Sequence, residues 1–231
     1  MPEFVTQSFD RIADLLDTGG PVVYLLVALS LIVTTIALIK VWQFRRAGLY
    51  GGMAKVHSAA DLYRRGKTDA AITLLRNIGG IAGTVAAKSI RGMLRANVDK
   101  AEIRAEIMRI AAGHLEGLRD QLRTLEVIGA LAPLLGLFGT VLGTIEAFQN
   151  LEGAGRQVDP SVLSGGIWLA LLTTAVGLAV AVPTVTLHSY FERRIERLAH
   201  DLDDLIARLF TADFEAETFH KVTDADTRRR A

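Results

Sequence analysis

Three stretches of the sequence contain no Asp, Glu, Lys or Arg over lengths that match a lipid bilayer. They are residues 18–39, 127–145 and 160–191, with 22, 19 and 32 residues. About 20 apolar residues cross the hydrocarbon core as a helix, since each adds about 1.5 Å of rise. Buried helices of a soluble protein usually keep a polar outer stripe, which these stretches lack. The sequence therefore predicts an integral membrane protein with three transmembrane helices.

Lys and Arg are unevenly distributed around these spans. Residues 45–123 carry fifteen of them and the tail after Phe191 carries eight, whereas the connection between the second and third spans has only Arg156. Basic residues concentrate on the cytoplasmic side of membrane proteins. The N-terminus and the short connection are therefore expected outside, and the long middle segment and the C-terminus in the cytoplasm.

The inner end of the first span is marked by a cluster of basic and aromatic side chains. It contains Lys40, Trp42, Arg45 and Arg46. An aromatic ring beside long cationic side chains is typical of the membrane–water interface, where the charged ends extend into water. Lys40 is accordingly expected to be solvated.

The middle segment is predicted to be helical throughout. The expected helices are 54–65 ending at Gly66, 68–77 capped by Thr68 or Asp69 and ending before Gly79 and Gly80, 83–96, and one beginning at Asp99. Asp99 and Glu102 have capping-box spacing. Because no helix breaker follows, this last helix is predicted to enter the second span as one rod. An apolar stripe after Phe191 predicts that the third span likewise continues into the cytoplasm.

Residue types that carry enzyme chemistry are poorly represented. The chain has no cysteine, and its five histidines lack metal-ligand spacing. Gly66-Lys67-Thr68 resembles the end of a phosphate-binding loop, but Asp61 stands where that motif needs a glycine. We expect no enzyme activity, no cofactor or metal, and no nucleic-acid partner.

Small residues recur on one face of the second and third spans. Gly136, Gly139 and Gly143 lie on one face of the second, and Gly177 continues a similar face of the third. Small residues let helices approach closely in lipid, so these glycines are predicted to pack helices together. Pro133 and Pro183 are expected to bend the two helices and free backbone carbonyls.

Four threonines lie on or beside these faces, namely Thr140, Thr144, Thr173 and Thr174. A membrane threonine often bonds to its own helix backbone. Thr140 and Thr174 differ because each lies mid-span on a small face, where its hydroxyl would line a narrow polar path or hydrogen-bond a partner's ionisable group. An ion pathway normally contains an intramembrane Asp, Glu or His, and no span has one near its middle. If the protein conducts protons, a second polypeptide must supply the titrating carboxylate.

Two segments resemble the signatures of the MotA/TolQ/ExbB proton channel family. The first is Ala132-Pro-Leu-Leu-Gly-Leu-Phe-Gly-Thr-Val-Leu-Gly143. The second is Ser164-Gly-Gly-Ile-Trp, followed by Leu171-Leu-Thr-Thr-Ala-Val-Gly-Leu-Ala-Val-Ala-Val-Pro183. Three spans with a short outer N-terminus resemble ExbB or TolQ more than the four-span MotA, and most of all ExbB.

This resemblance implies an all-α homo-oligomeric ring, a pentamer in ExbB, in the bacterial inner membrane. Its second and third helices would surround single-span ExbD-like helices carrying an essential aspartate, which Thr140 and Thr174 would face. Proton flow would drive a TonB-like protein that energises transport across the outer membrane. In a TolQ-like system a TolA-like protein would instead serve envelope integrity. Leu169 stands where family members often have glutamate, and leucine cannot titrate. This departure supports a third hypothesis, a scaffold that assembles partners without conducting protons.

Together these inferences divide the chain into seven segments. They are a periplasmic N-terminus with a short amphipathic helix (1–20), the first transmembrane helix (21–44), a cytoplasmic helical region (45–125), the second transmembrane helix (126–148), a periplasmic loop (149–163), the third transmembrane helix (164–190), and a cytoplasmic C-terminal helix and tail (191–231).

Overall fold

The computed structural model describes residues 2–48, 52–95, 98–153 and 160–230, with side chains at 20–48, 52–95, 98–152 and 164–211. The described residues form seven helices: α1 Pro2–Arg46, α2 Met53–Arg64, α3 Thr68–Arg76, α4 Ile81–Met93, α5 Lys100–Arg119, α6 Leu122–Gly153 and α7 Pro160–Arg230. Three helical regions contain a stretch long and apolar enough to cross a membrane. The predicted all-α membrane class with three spans is confirmed.

Helix α1 contains a kink at its Gly-Pro sequence. Gly20 has φ 64° and ψ −168°, and Pro21 follows it inside the helix. Proline disfavours helical backbone in the residue before it, and glycine adopts positive φ without a steric penalty. The apolar span thus begins after Gly20, where the sequence predicted its entrance.

Glycines and one aspartate set the limits of the short helices. Helix α2 ends before Gly66, which has φ 74°. Asp99 caps α5, since its carboxylate accepts a hydrogen bond from the Ala101 amide at 3.1 Å. The predicted cap of α3 is wrong, because α3 begins at Thr68 and Lys67 precedes it without a side-chain cap.

The predicted single rod from Asp99 into the second span is also wrong. Helix α5 ends at Arg119, Asp120 has φ −47° and ψ 141°, and Gln121 has φ 65°. Helix α6 starts at Leu122. The chain therefore leaves helical geometry at two residues that are neither glycine nor proline.

The predicted continuation of the third-span helix beyond its apolar stretch is confirmed. Helix α7 runs as one helix from Pro160 to Arg230. The predicted loop 149–163 is partly helical, because α6 extends to Gly153 and α7 starts at Pro160. The remainder of that loop, residues 154–159, lies outside the described residues.

The structure divides into two compact units. Unit 1 consists of Met1–Leu38 and Gln121–Tyr190, and unit 2 of Ile39–Asp120 and Phe191–Ala231. Within unit 1, α6 packs on α7 through small residues. Apolar side chains point away from this contact, including Leu134, Leu137, Trp168 and Val182, each more than half exposed. Unit 1 thus has the apolar surface expected of a lipid-embedded unit.

Unit 2 has an aliphatic core between α2, α3, α4 and the C-terminal half of α7. Its buried members are Val56, Ala59, Ala60, Ala71, Leu75, Ile78, Ala86, Ile90, Leu205 and Leu209. Ile195, Leu198, Leu202 and Ile206 of α7 are buried as well. The apolar stripe predicted after Phe191 therefore faces a packed interior.

The basic cluster at the end of the first span is divided between two environments. The Arg46 guanidinium stacks over the Trp42 ring, 3.8 Å from its centroid, and both side chains are exposed. Lys40, in contrast, is 1% exposed. The predicted solvation of Lys40 is wrong, because its ammonium finds acceptors inside unit 2.

Candidate functional site

The contact between α6 and α7 is so close that glycine backbones touch. A methyl group added at Gly177 would lie 2.7 Å from the Ala132 carbonyl oxygen and 3.0 Å from the Gly136 Cα. One added at Gly136 would lie 3.0 Å from the Thr173 carbonyl oxygen. Only glycine permits this approach, which brings the small faces of both helices together.

The contact continues along α6 at the next two glycines. A methyl group at Gly139 would lie 2.6 Å from the Thr173 Cβ, and one at Gly143 would lie 3.3 Å from the Ala170 amide nitrogen. Farther along, Ala147 on α6 contacts Gly166 on α7. The four glycines predicted to pack helices thus all lie in one contact within a single chain.

The prolines predicted to bend the spans occupy different positions. Pro133 is half-buried in α6, and Pro183 is exposed on α7. Each helix continues past its proline. Neither proline lies among the glycine contacts, and the predicted bends stay predictions.

Thr173 lies inside the contact and not on a surface. It is 2% exposed, and its hydroxyl is 2.8 Å from the Ala170 carbonyl oxygen and 3.3 Å from that of Gly136. Close packing against Gly139 leaves it no access to a lumen from one chain. Its predicted place in a pore lining is therefore corrected to a place between the helices.

Thr174 lies at the edge of the same contact. Its side chain is half-buried, and its hydroxyl donates to the Gly136 carbonyl oxygen at 3.3 Å. Gly136 is one helical turn from Thr140 on α6. This hydrogen bond thus joins Thr174 on α7 to the helical turn of α6 that precedes Thr140.

Thr140 and Thr144 form a ladder along α6. The Thr140 hydroxyl donates to the Leu137 carbonyl oxygen at 2.6 Å, and the Thr144 hydroxyl donates to the Thr140 carbonyl oxygen at 2.6 Å. Thr140 is half-buried and Thr144 is exposed. Because each hydroxyl proton is engaged by the backbone, the free lone pairs of the hydroxyl oxygens remain available as acceptors.

No ionisable side chain accompanies these threonines. Residues 127–145 and 164–187 contain no Asp, Glu, His, Lys, Arg, Cys or Tyr. Glu126 and Glu146 flank the first range and are exposed, and His188 follows the second and is half-buried. This part of unit 1 can bind or orient a proton carrier but cannot itself take up a proton.

Two polar residues of α1 were missed as a structural feature. Lys40 and Gln43 contact the last turn of α5 inside unit 2. They are three residues apart and so share one face of α1. That spacing, just after an apolar span, was the signal available in the sequence.

Comparison with known proteins places this architecture in a family. The sequence model of the MotA/TolQ/ExbB proton channel family matches residues 76–204, more than half of the chain. The chain belongs to this family. The match includes α4, α5, α6 and most of α7, and therefore the whole contact described above.

Individual members of the MotA/TolQ/ExbB family show where the similarity lies. A biopolymer transport protein ExbB homologue of Methanothermobacter thermautotrophicus is 30% identical over 193 residues, 83% of this chain and 67% of that protein. ExbB1 of Vibrio cholerae is 43% identical over 86 residues, 36% of this chain and 38% of the relative. TolQ of Haemophilus influenzae is 33% identical over 107 residues, 46% of each chain. The last two alignments span less than half of the relatives' lengths.

Proposed function

We propose that the protein is an ExbB-type subunit of an inner-membrane motor that couples the proton gradient to energised transport across the outer membrane. Membership of a proton channel family and the similarity to proteins named ExbB support this proposal. The subunit would form a homo-oligomeric ring, a pentamer, around single-span ExbD-like helices. A TonB-like protein would deliver the work.

The proposed orientation has the N-terminus in the periplasm and the C-terminus in the cytoplasm. The fifteen Lys and Arg residues within 45–123 support it. In this orientation most of unit 2 lies in the cytoplasm. The protein would act without enzyme chemistry of its own, as part of a channel.

The arrangement of threonine hydroxyls is the observation that carries the proposal. Thr140 and Thr174 each donate their proton to a backbone carbonyl, which leaves their oxygens to accept a hydrogen bond. A protonated carboxylic acid donates such a bond, whereas a carboxylate does not. The site would therefore stabilise the neutral form of a partner's aspartate as it passes through the membrane.

The absence of an acid at position 169 is compatible with this chemistry. Leu169 is half-buried on α7, one turn before Thr173. Since leucine does not titrate, the proton would travel on the partner's aspartate alone. The route would then consist of a moving acid and fixed hydroxyl acceptors.

Proton flux through the complex reconstituted in liposomes with its ExbD-like partner tests the proposal. Thr140→Val and Thr174→Val preserve shape but remove the hydroxyl. Each should lower the flux about twofold to tenfold, the factor that corresponds to about 0.5–1.5 kcal/mol for one hydrogen bond. Thr140→Ser and Thr174→Ser should retain most of it, because they keep the acceptor.

Thr186→Val is the matched control. Thr186 is exposed on α7, and its hydroxyl donates to the Val182 carbonyl oxygen of its own helix. Its flux should equal that of the unmodified complex. Full flux in both Thr140→Val and Thr174→Val, with assembly intact, would show that these hydroxyls do not serve the proton.

A TolQ-type role in envelope integrity is the second candidate, supported by the similarity to Haemophilus influenzae TolQ. Deletion of the gene distinguishes the two roles. Loss of energised uptake with normal detergent resistance favours the ExbB-type role, and the opposite result favours the TolQ-type role. A complex that carries no proton flux, even with the partner's aspartate intact, would instead be a scaffold.

A further inference from the structure

A buried amine lies at the end of α1. Lys40 is 1% exposed, and its Nζ donates to the Leu118 carbonyl oxygen at 2.9 Å and to the Gln43 Oε1 at 3.0 Å. Burying an ammonium group is unfavourable unless acceptors replace its water. The acceptors here are a backbone carbonyl and an amide oxygen, so the placement requires a structural explanation.

Gln43 makes a second contact between α1 and the end of α5. Its Nε2 donates to the Gly117 carbonyl oxygen at 3.2 Å. Two side chains on one face of α1 thus hold two successive carbonyls in the last turn of α5. We call Lys40 and Gln43 together the α1 clamp.

The two carbonyls held by the clamp are those that a longer α5 would need. In a continuous helix, the Gly117 oxygen accepts the Gln121 amide and the Leu118 oxygen accepts the Leu122 amide, each four residues later. In the structure α5 instead ends at Arg119 and α6 begins at Leu122. The clamp therefore supplies donors to two carbonyls that the break leaves without their helical amide partners.

Local sequence does not explain the break between α5 and α6. The two residues in it, Asp120 and Gln121, lack the backbone properties of proline or glycine. Gln121 adopts φ 65°, a left-handed conformation that is unfavourable for an L-residue with a side chain. Some interaction from elsewhere in the chain must offset this strain.

Electrostatics add to the clamp's hold on α5. The last carbonyls of a helix carry partial negative charge, which a cation stabilises. This interaction favours the ammonium beside a free helix end, and the free end exists only while the helix is broken.

We propose that the α1 clamp is a conformational switch that holds the chain in a broken form at residues 120–121. The alternative state is one continuous helix from Lys100 to Gly153, in which the amides of Gln121 and Leu122 replace the two side chains. Releasing Lys40 and Gln43 converts the first state into the second. The inference concerns the fold of this chain and does not depend on its proton transport.

Hydrogen exchange of the full-length protein in lipid nanodiscs tests the switch. The first N–H groups of a helix have no intrahelical acceptor, so the amides of residues 121–124 should exchange rapidly in the broken form. Lys40→Met removes the clamp's ammonium while keeping an unbranched apolar side chain. Exchange at 121–124 should then slow by about tenfold or more, as expected for amides that enter a stable helix.

The sign of the change separates a switch from a simple structural contact. Loss of an ordinary stabilising contact would speed exchange in α5 and leave 121–124 fast. Faster or unchanged exchange at 121–124 in Lys40→Met would therefore overturn the proposal. Arg45→Met, which removes an exposed cation from the same end of α1, is the matched control and should leave these amides unchanged.

Two further variants keep the test decisive if Lys40→Met folds poorly. Gln43→Met removes the second side chain of the clamp and should slow exchange at 121–124 in the same direction, by a smaller factor. Adding Gln121→Gly favours the left-handed backbone of the broken form. That second change should restore rapid exchange in either background, and failure to restore it would also contradict the switch.

Discussion

The α6–α7 contact of unit 1 and the aliphatic core of unit 2 achieve close packing by opposite means. In unit 1, α6 and α7 meet where side chains are smallest, with Gly136 against Gly177 and Gly139 against Thr173. In unit 2, helices α2, α3, α4 and α7 meet through larger aliphatic side chains such as Ile90 and Leu205, both fully buried. The contact in unit 1 brings helix backbones together, whereas the core of unit 2 fills the space between helices with side chains.

The difference follows from the surroundings of each unit. In water, burial of apolar surface is worth about 25 cal/mol per Å², so large side chains hold a bundle together. Lipid is as apolar as leucine and offers no such gain, so transmembrane helices associate through close van der Waals contact and hydrogen bonds. Large-to-small changes should therefore harm unit 2 most, and small-to-large changes should harm unit 1.

Leu205→Ala should have the largest effect. Leu205 is fully buried in the aliphatic core of unit 2, and its truncation leaves a cavity that costs about 2–5 kcal/mol. Native-state hydrogen exchange should show this as faster opening of α2, α3 and α4. The control is Met108→Ala, at a side chain that is 45% exposed, which should change stability by less than about 0.5 kcal/mol.

Gly177→Ala should have the next largest effect, and it acts by overpacking where Leu205→Ala leaves a cavity. The added methyl group meets backbone atoms of α6, which cannot rotate away, so overpacking should cost about 1–3 kcal/mol. The matched control is Gly113→Ala in α5, where the added methyl group meets nothing. There the better helix propensity of alanine should stabilise the protein by about 0.5–1 kcal/mol. Unfolding titrations in detergent compare the two, and equal effects would contradict the contrast between the units.

Thr173→Val should have the smallest effect. It keeps the shape of the buried side chain but removes hydrogen bonds to Ala170 and Gly136, and such bonds between membrane helices contribute about 0.6 kcal/mol on average. Thr34→Val, whose hydroxyl bonds only within α1 at Ser30, should be close to neutral. A double-mutant cycle with Gly139→Ala would sharpen the result, because only Thr173 should couple to that position.

The sequence predicted best what local chemistry determines. The three spans follow from uninterrupted apolar length, and Gly66 and Asp99 mark helix ends through their own backbone and side-chain properties. The small faces were recognised because glycine spacing repeats with the helical period. In each case the decisive residues lie within a few positions of the feature they determine.

Three of the failures have a common physical origin in contacts made by distant residues. The break at Asp120 and Gln121 has no local cause, and the α5 carbonyls beside it accept hydrogen bonds from Lys40 and Gln43 on α1. Lys40 was expected in water because basic side chains clustered at the end of a span usually extend there. Thr173 was assigned to a surface because helical periodicity does not say which of two adjacent threonines faces the partner helix.

One contact in unit 1 limits which residues α6 and α7 can carry in related proteins. The Ala147 methyl group occupies the space that a side chain at Gly166 would need. The two positions together have room for a single methyl group. A larger side chain at either position alone is obstructed, whereas glycine at 147 with alanine at 166 conserves the side-chain volume. Substitutions there should be inherited as compensated pairs, and a record of such pairs would report the spacing of α6 and α7 throughout the family.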